Sequence, residues 1–168
     1  MALLRIISTG LLTAFAAFSA NTTPQTGINL ERYLGRWYEQ ARYENWFEKG
    51  MENVYTIYSP GPDGSIVVKN IGTSPEGAVL TTMGRAFPDG TGQLAISFVW
   101  PYFWFRTPYR ILYVNENYTA ALVSCEGDEY LWLLTREQAP ETRLISTLIR
   151  EAQRRGFDTA KLRFTRQD

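Results

Sequence analysis

The chain has 168 residues, enough for one domain with a sizeable core, and its 17 basic and 17 acidic side chains cancel. That balance argues against nucleic acid as a partner, and the absence of histidine removes histidine triads, histidine metal ligands and the ordinary near-neutral proton shuttle. An aromatic share of 14% suits apolar ligands or lipid surfaces, and no cofactor or metal is expected.

The first twenty residues, MALLRIISTGLLTAFAAFSA, place one cation, Arg5, before an apolar run that ends in small residues. This layout predicts a secretory signal peptide over 1–19, with Ala17 and Ser19 at the small-residue positions and cleavage after Ser19. Cys125 is the single cysteine, so no internal disulfide forms and no cysteine near the expected cleavage site can receive a lipid. The expectation is an exported protein, periplasmic or secreted, and soluble.

Beyond Gly27, short β-type runs alternate with turn signals at a spacing of roughly ten residues. Strands are expected over about 35–43, 53–59, 65–71, 79–87, 93–99, 109–115, 118–125 and 129–135. PGPDG (60–64) and PDGTG (88–92) are turns by chemistry, because proline presets φ and Asp-Gly supplies the positive-φ position. Short links such as EN (116–117) and EGD (126–128) force antiparallel neighbours. A helix follows, with Pro140 at its first position, Leu144, Ile145, Leu148, Ile149 and Ala152 on one face, and Gly156 as its stop. AKLRFT (160–165) reads as a last short strand. The fold class is all-β: an eight-stranded antiparallel up-and-down barrel with one C-terminal helix outside it.

Three stretches, in order, carry a family resemblance. NLERYLGRWYEQARY (29–43) resembles the opening of the lipocalins, whose mark is G-x-W at the start of the first strand, here Gly35 and Trp37. NENYTAALV (115–123) resembles their middle motif, with Asn117 where many relatives have aspartate, and YLWLLTR (130–136) their closing motif, with Arg136 ending the eighth strand. GFD at 156–158 is similar to the bacterial outer-membrane type, and the likeness covers about 28–166. The resemblance implies that Trp37 closes the bottom of the barrel with Arg136 across its indole. It also implies fatty acids or lysophospholipids as ligands. Those bacterial relatives usually carry a lipobox cysteine after the signal, and this chain has none.

In a meander the links alternate between the two ends of the barrel. Trp37 and Arg136 mark one end as plugged, so the odd-numbered links form the open rim. They hold Trp46 and Phe47 in ENWFEKGME (44–52), and Trp100, Tyr102, Phe103, Trp104, Phe105 and Arg106 in WPYFWFRTP (100–108). Such apolar density in loops has several readings: a lid over a lipid-binding mouth, a homodimer contact through the open-end loops, peripheral docking at a membrane interface, or loops collapsed onto their own barrel. Alternation from an inward Trp37 turns Glu39, Ala41 and Tyr43 inward, and alternation elsewhere turns Val68, Asn70, Tyr130 and Trp132 inward. Phe98 and Tyr109, on the strands flanking the aromatic link, complete the expected ligand-binding set. Arg106, Lys49 and Arg42 are near enough to the mouth to meet an anionic head group, though each also reads as a solvated charge. No catalytic residue is expected: Cys125 has no base to activate it, and Glu39 is a single carboxylate.

Overall fold

The computed structural model describes residues 19–89, 93–98 and 106–168. Its elements are α1 (Leu30–Tyr33), β1 (Gly35–Tyr43), β2 (Glu52–Pro60), β3 (Ile66–Thr73), β4 (Val79–Pro88), β5 (Gln93–Phe98), β6 (Arg106–Val114), β7 (Ala120–Cys125), β8 (Tyr130–Thr135), α2 (Thr142–Arg154) and β9 (Leu162–Phe164). Among the described residues β1 to β8 form a closed antiparallel barrel, since β1 pairs with both β8 and β2, and β9 adds to β1 from outside the meander.

The closed end is built from the chain's first turn. Asn29 caps α1, its Oδ1 accepting from the Arg32 amide at 3.1 Å, which satisfies one of the orphan donors of a helix start. Gly35 then turns the chain into β1 at φ 99°, and a Cβ there would stand 3.1 Å from Arg136 Nη1. Only glycine meets both demands. Trp37 is fully buried and its Nε1 donates to the Tyr33 carbonyl at 2.7 Å. The Arg136 guanidinium lies 4.0 Å from the Trp37 ring centroid and donates to the carbonyls of Arg32, Tyr33, Arg36 and Tyr118. One side chain therefore ties α1, β1 and the β6–β7 link together.

The expected helix begins two residues later than Pro140, at Thr142. Leu148 and Ala152 bury against Leu112, Ala120, Leu122, Leu131 and Leu133 on the outer face of the barrel. It ends as expected: Gly156 takes φ 88°, and the Phe157 amide returns to the Ala152 carbonyl at 3.0 Å with its ring buried. The short α1 has no counterpart in the strand reading.

The inward alternation expected along β1 fails at Gln40. Glu39 pairs with Leu134 but Ala41 pairs with Leu133, so one residue of β1 is extra. A bulge of this kind reverses the parity of everything after it. Ala41 and Tyr43 consequently lie in the outer cluster beneath α2, while Arg42 faces inward beside Trp132. The seam between β1 and β2 also opens above Tyr38, and the C-terminal tail fills it. Thr165 donates from its amide to the Gln40 carbonyl, Asn53 to the Arg166 carbonyl, and Gln167 Nε2 bridges the carbonyls of Glu39 and Val54.

Candidate ligand-binding site

Register places the inward side chains in layers. The lower interior is apolar, with Ile66, Leu94, Ile96, Ile111, Val114 and Leu134 packed into one cluster above Trp37. Across it runs a chain of three tyrosine hydroxyls: Tyr109 lies 2.7 Å from Tyr58 and 3.3 Å from Tyr33. Burial pushes all three up, Tyr33 to about 12, so they stay neutral. Higher up, Val68, Val123, Cys125, Tyr130 and Trp132 continue the wall, the last two rings stacked with centroids 6.0 Å apart.

Beneath the 44–51 link sits a buried polar cluster. Arg42 donates through Nη1 to Glu39 Oε1 at 2.5 Å and to Thr165 Oγ1 at 3.1 Å, and through Nη2 to the carbonyls of Glu48 and Met51. The Thr165 hydroxyl also donates to Glu39. Glu48 Oε2 accepts from Asn45 Nδ2 at 2.6 Å and from the Trp132 indole at 3.0 Å. The link is therefore latched to the barrel wall at Trp132. Burial, reinforced by the Glu48 charge, pushes the Glu39 carboxyl up to about 7, against the pull of Arg42 and Thr165. The cation that could have met a ligand carboxylate is already engaged: Arg42 is fully buried among these acceptors and is no solvated charge at the mouth.

The expected site residues divide accordingly. Val68, Tyr109, Tyr130 and Trp132 face the barrel interior with the apolar cluster. Asn70 is on the same face, where its Oδ1 accepts from Thr56 Oγ1 at 2.8 Å. Trp46 and Phe47 stand at the rim, 72% and 45% exposed, and Phe47 packs 5.8 Å from Tyr130. Phe98 pairs through its backbone with Gly84 at the upper end of β5. Trp100, Phe103 and Trp104 lie outside the described residues. Tyr43 is not on the barrel wall: past the bulge it packs on Phe157, donates to the Asp158 carbonyl at 3.0 Å, and lines an outer groove of about 610 Å³ with Glu44, Asp128 and Lys161. Sequence reasoning missed Tyr33 and Tyr58 as interior residues and Glu48 as the latch. Alternation across from Trp37 through Thr56 would have found Tyr58, whereas Glu48 sits in a link where no periodicity applies. The Cys125 thiol is buried and pushed up to about 12, chiefly by that burial, so it offers no thiolate at neutral pH.

A lipocalin-like domain model matches residues 28–167. The outer membrane lipoprotein Blc of Vibrio cholerae is 35% identical over 99% of this chain and 98% of its own length. The Escherichia coli K12 protein of the same name is 30% identical over the same shares, and the temperature-induced lipocalin-1 of Arabidopsis thaliana is 33% identical over 84% of this chain and 80% of its own. Among solved structures, lobster apocrustacyanin A1 superposes with a TM-score of 0.70 at 18% identity, covering 89% of this chain and 91% of that one, which is a likeness of fold. The names of the bacterial relatives overturn the expectation of a soluble periplasmic or secreted protein, since outer membrane lipoproteins are membrane-anchored. That expectation rests on one missing cysteine, a weaker observation than near full-length likeness to anchored proteins. Three motifs in order, a closed meander with its Trp37–Arg136 plug, and a family model spanning the barrel lead to one assignment: the chain belongs to the lipocalin family, in its bacterial Blc-like branch.

Proposed function

We propose that this protein carries or stores a long-chain lipid, a fatty acid or a lysophospholipid, in its barrel and acts without catalysis at the outer membrane. Binding of a hydrophobic ligand within the barrel is the general property of the family. The observation that carries the finer reading is the interior lining itself, apolar from Leu94 and Ile111 up to Trp132, with exposed aromatics at the rim above it. At ~0.8 kcal/mol per buried methylene, a chain of about fifteen carbons offers roughly 12 kcal/mol before ordering costs. That supports micromolar to nanomolar affinity. With Arg42 engaged by Glu39, Thr165 and the carbonyls of Glu48 and Met51, the polar head belongs at the mouth, outside the latch. Placement at the outer membrane draws on the relatives' names, and export on residues 1–19 as a signal.

Tryptophan fluorescence of the delipidated protein, titrated with oleate and with a lysophospholipid, tests the reading. A saturable change at micromolar ligand or below, weakened by Trp132→Phe, is expected. No saturable response to either lipid would remove the lipid assignment while leaving the barrel intact.

A further inference from the structure

We infer that the open end of the barrel docks against a lipid bilayer, so that the mouth faces the membrane and neither the closed end nor the helix flank does. The first ground is where the chain enters the fold. The Ala20 amide donates to Asp128 Oδ2 at 2.9 Å, and Asp128 belongs to the β7–β8 turn at the open rim. From there the arm descends along β6, with the Gln25 amide on the Ile111 carbonyl at 2.9 Å, and ends with the Asn29 amide on the Tyr118 hydroxyl at 2.8 Å, at the closed end. Residues 20–29 thus run from the rim to the closed end. Arg155 clamps the upper arm through the carbonyls of Asn21 and Thr23. The described chain therefore begins at the mouth, and a mature chain cut after Ser19 would start there.

The second ground is the distribution of exposed apolar side chains. Trp46 is 72% exposed in the β1–β2 link, Val79 is 70% exposed at the start of β4, and Phe47, Leu80 and Met83 are exposed beside them. All belong to the mouth half. The closed-end links 61–65 and 115–119 show no exposed large apolar residue among the described ones. Residues 75–83 are exposed, Leu80 on the inward side of the register and Val79 on the outward side alike. Tryptophan and aliphatic side chains gathered at one end suit the bilayer interface.

The charge around the rim identifies the kind of surface. Glu44, Glu76, Glu126, Asp128 and Glu129 stand there with Lys49, Arg106, Lys161 and Arg163, Arg163 pairing with Glu44 at 3.2 Å, so neither sign dominates. Contact is thus apolar insertion into a zwitterionic surface, and attraction to anionic lipid plays no part. This does not depend on which ligand fills the barrel.

The test uses the full-length protein in a Cys125→Ala background, with an environment-sensitive NBD label at Val79→Cys on the outer face of the rim or at Asp63→Cys at the closed end. Vesicles of phosphatidylethanolamine and phosphatidylcholine carry a nitroxide on the acyl chain. The rim label should be quenched severalfold more than the closed-end label, and equally in low-salt buffer and in about 1 M salt, where charge interactions are screened beyond about 3 Å. Equal quenching at both sites, stronger quenching at position 63, or no quenching in protein that floats with the vesicles overturns the orientation. Binding confined to anionic vesicles overturns apolar docking. Burial of the rim label at rising protein concentration without vesicles would assign the surface to a second copy of the chain instead. Ligand titration of the same variants keeps failure of docking separate from failure of lipid carriage.

Discussion

Glu39 should make the protein less stable as pH rises through neutrality, the reverse of the usual carboxylate. The residue is only 2% exposed, and its pKa is raised from 4.5 to about 7 by burial and by Glu48, with Arg42 and Thr165 opposing. Between these values the folded protein holds a proton that the unfolded chain has released, so folding is favoured on the acid side. The contribution is fully present below about pH 4.5 and is lost as pH rises through about 7. The gap of roughly 2.5 pKa units corresponds to about 3 kcal/mol as an upper figure. Glu39→Gln keeps an oxygen for Arg42 and Thr165 but cannot titrate. Urea unfolding at pH 5, 6, 7 and 8 should show the wild type losing on the order of 1–3 kcal/mol relative to the variant across that range. Identical pH slopes for the two proteins would refute the reasoning, because Glu44, Glu48 and Arg42 remain in both.

The other expectations concern the plug, the latch and the thiol. Arg136→Ala removes a cation–π contact and donors to four backbone carbonyls, so the unfolding free energy from urea titration should fall by about 2–4 kcal/mol, and Arg136→Lys should recover less than half because an ammonium cannot span the fork. Glu48→Ala strands the Trp132 indole and leaves Asn45 Nδ2 only the longer bond to the Tyr43 carbonyl; at a cost of about 1–3 kcal/mol the 44–51 link should loosen, read as faster tryptic cleavage after Lys49 with circular dichroism unchanged. Cys125 should resist thiol reagents in the native protein at pH 7 and react fully in denaturant, since burial holds its thiol near 12; rapid native labelling would reopen a nucleophilic role.

The meander was legible because turn chemistry is local: Asp63 and Gly64 take positive φ in the link that PGPDG marks. The plug was legible through its motif, since few sequences put Gly35 and Trp37 before a first strand and Arg136 after an eighth. Interior lining could be read where alternation is unbroken, as along β3 and β8. It could not be read past Gln40, because a bulge leaves no compositional trace and Ala41 and Tyr43 suit either face. Arg42 misled for a related reason. A charged residue near a rim reads as solvated, and what buries it is Thr165, 123 residues away in a tail that fills the β1–β2 seam. Tyr33 escaped because it projects from a single helical turn that has no strand period.

A structure of the protein with a bound lysophospholipid bears on the barrel as carrier more than any other measurement. The acyl chain should run along the axis between Val68, Ile96, Ile111 and Trp132, with its head group outside the Glu48 latch near Phe47. A lipid in the outer groove of Tyr43 and Phe157, beside a barrel without one, would contradict carriage in the interior.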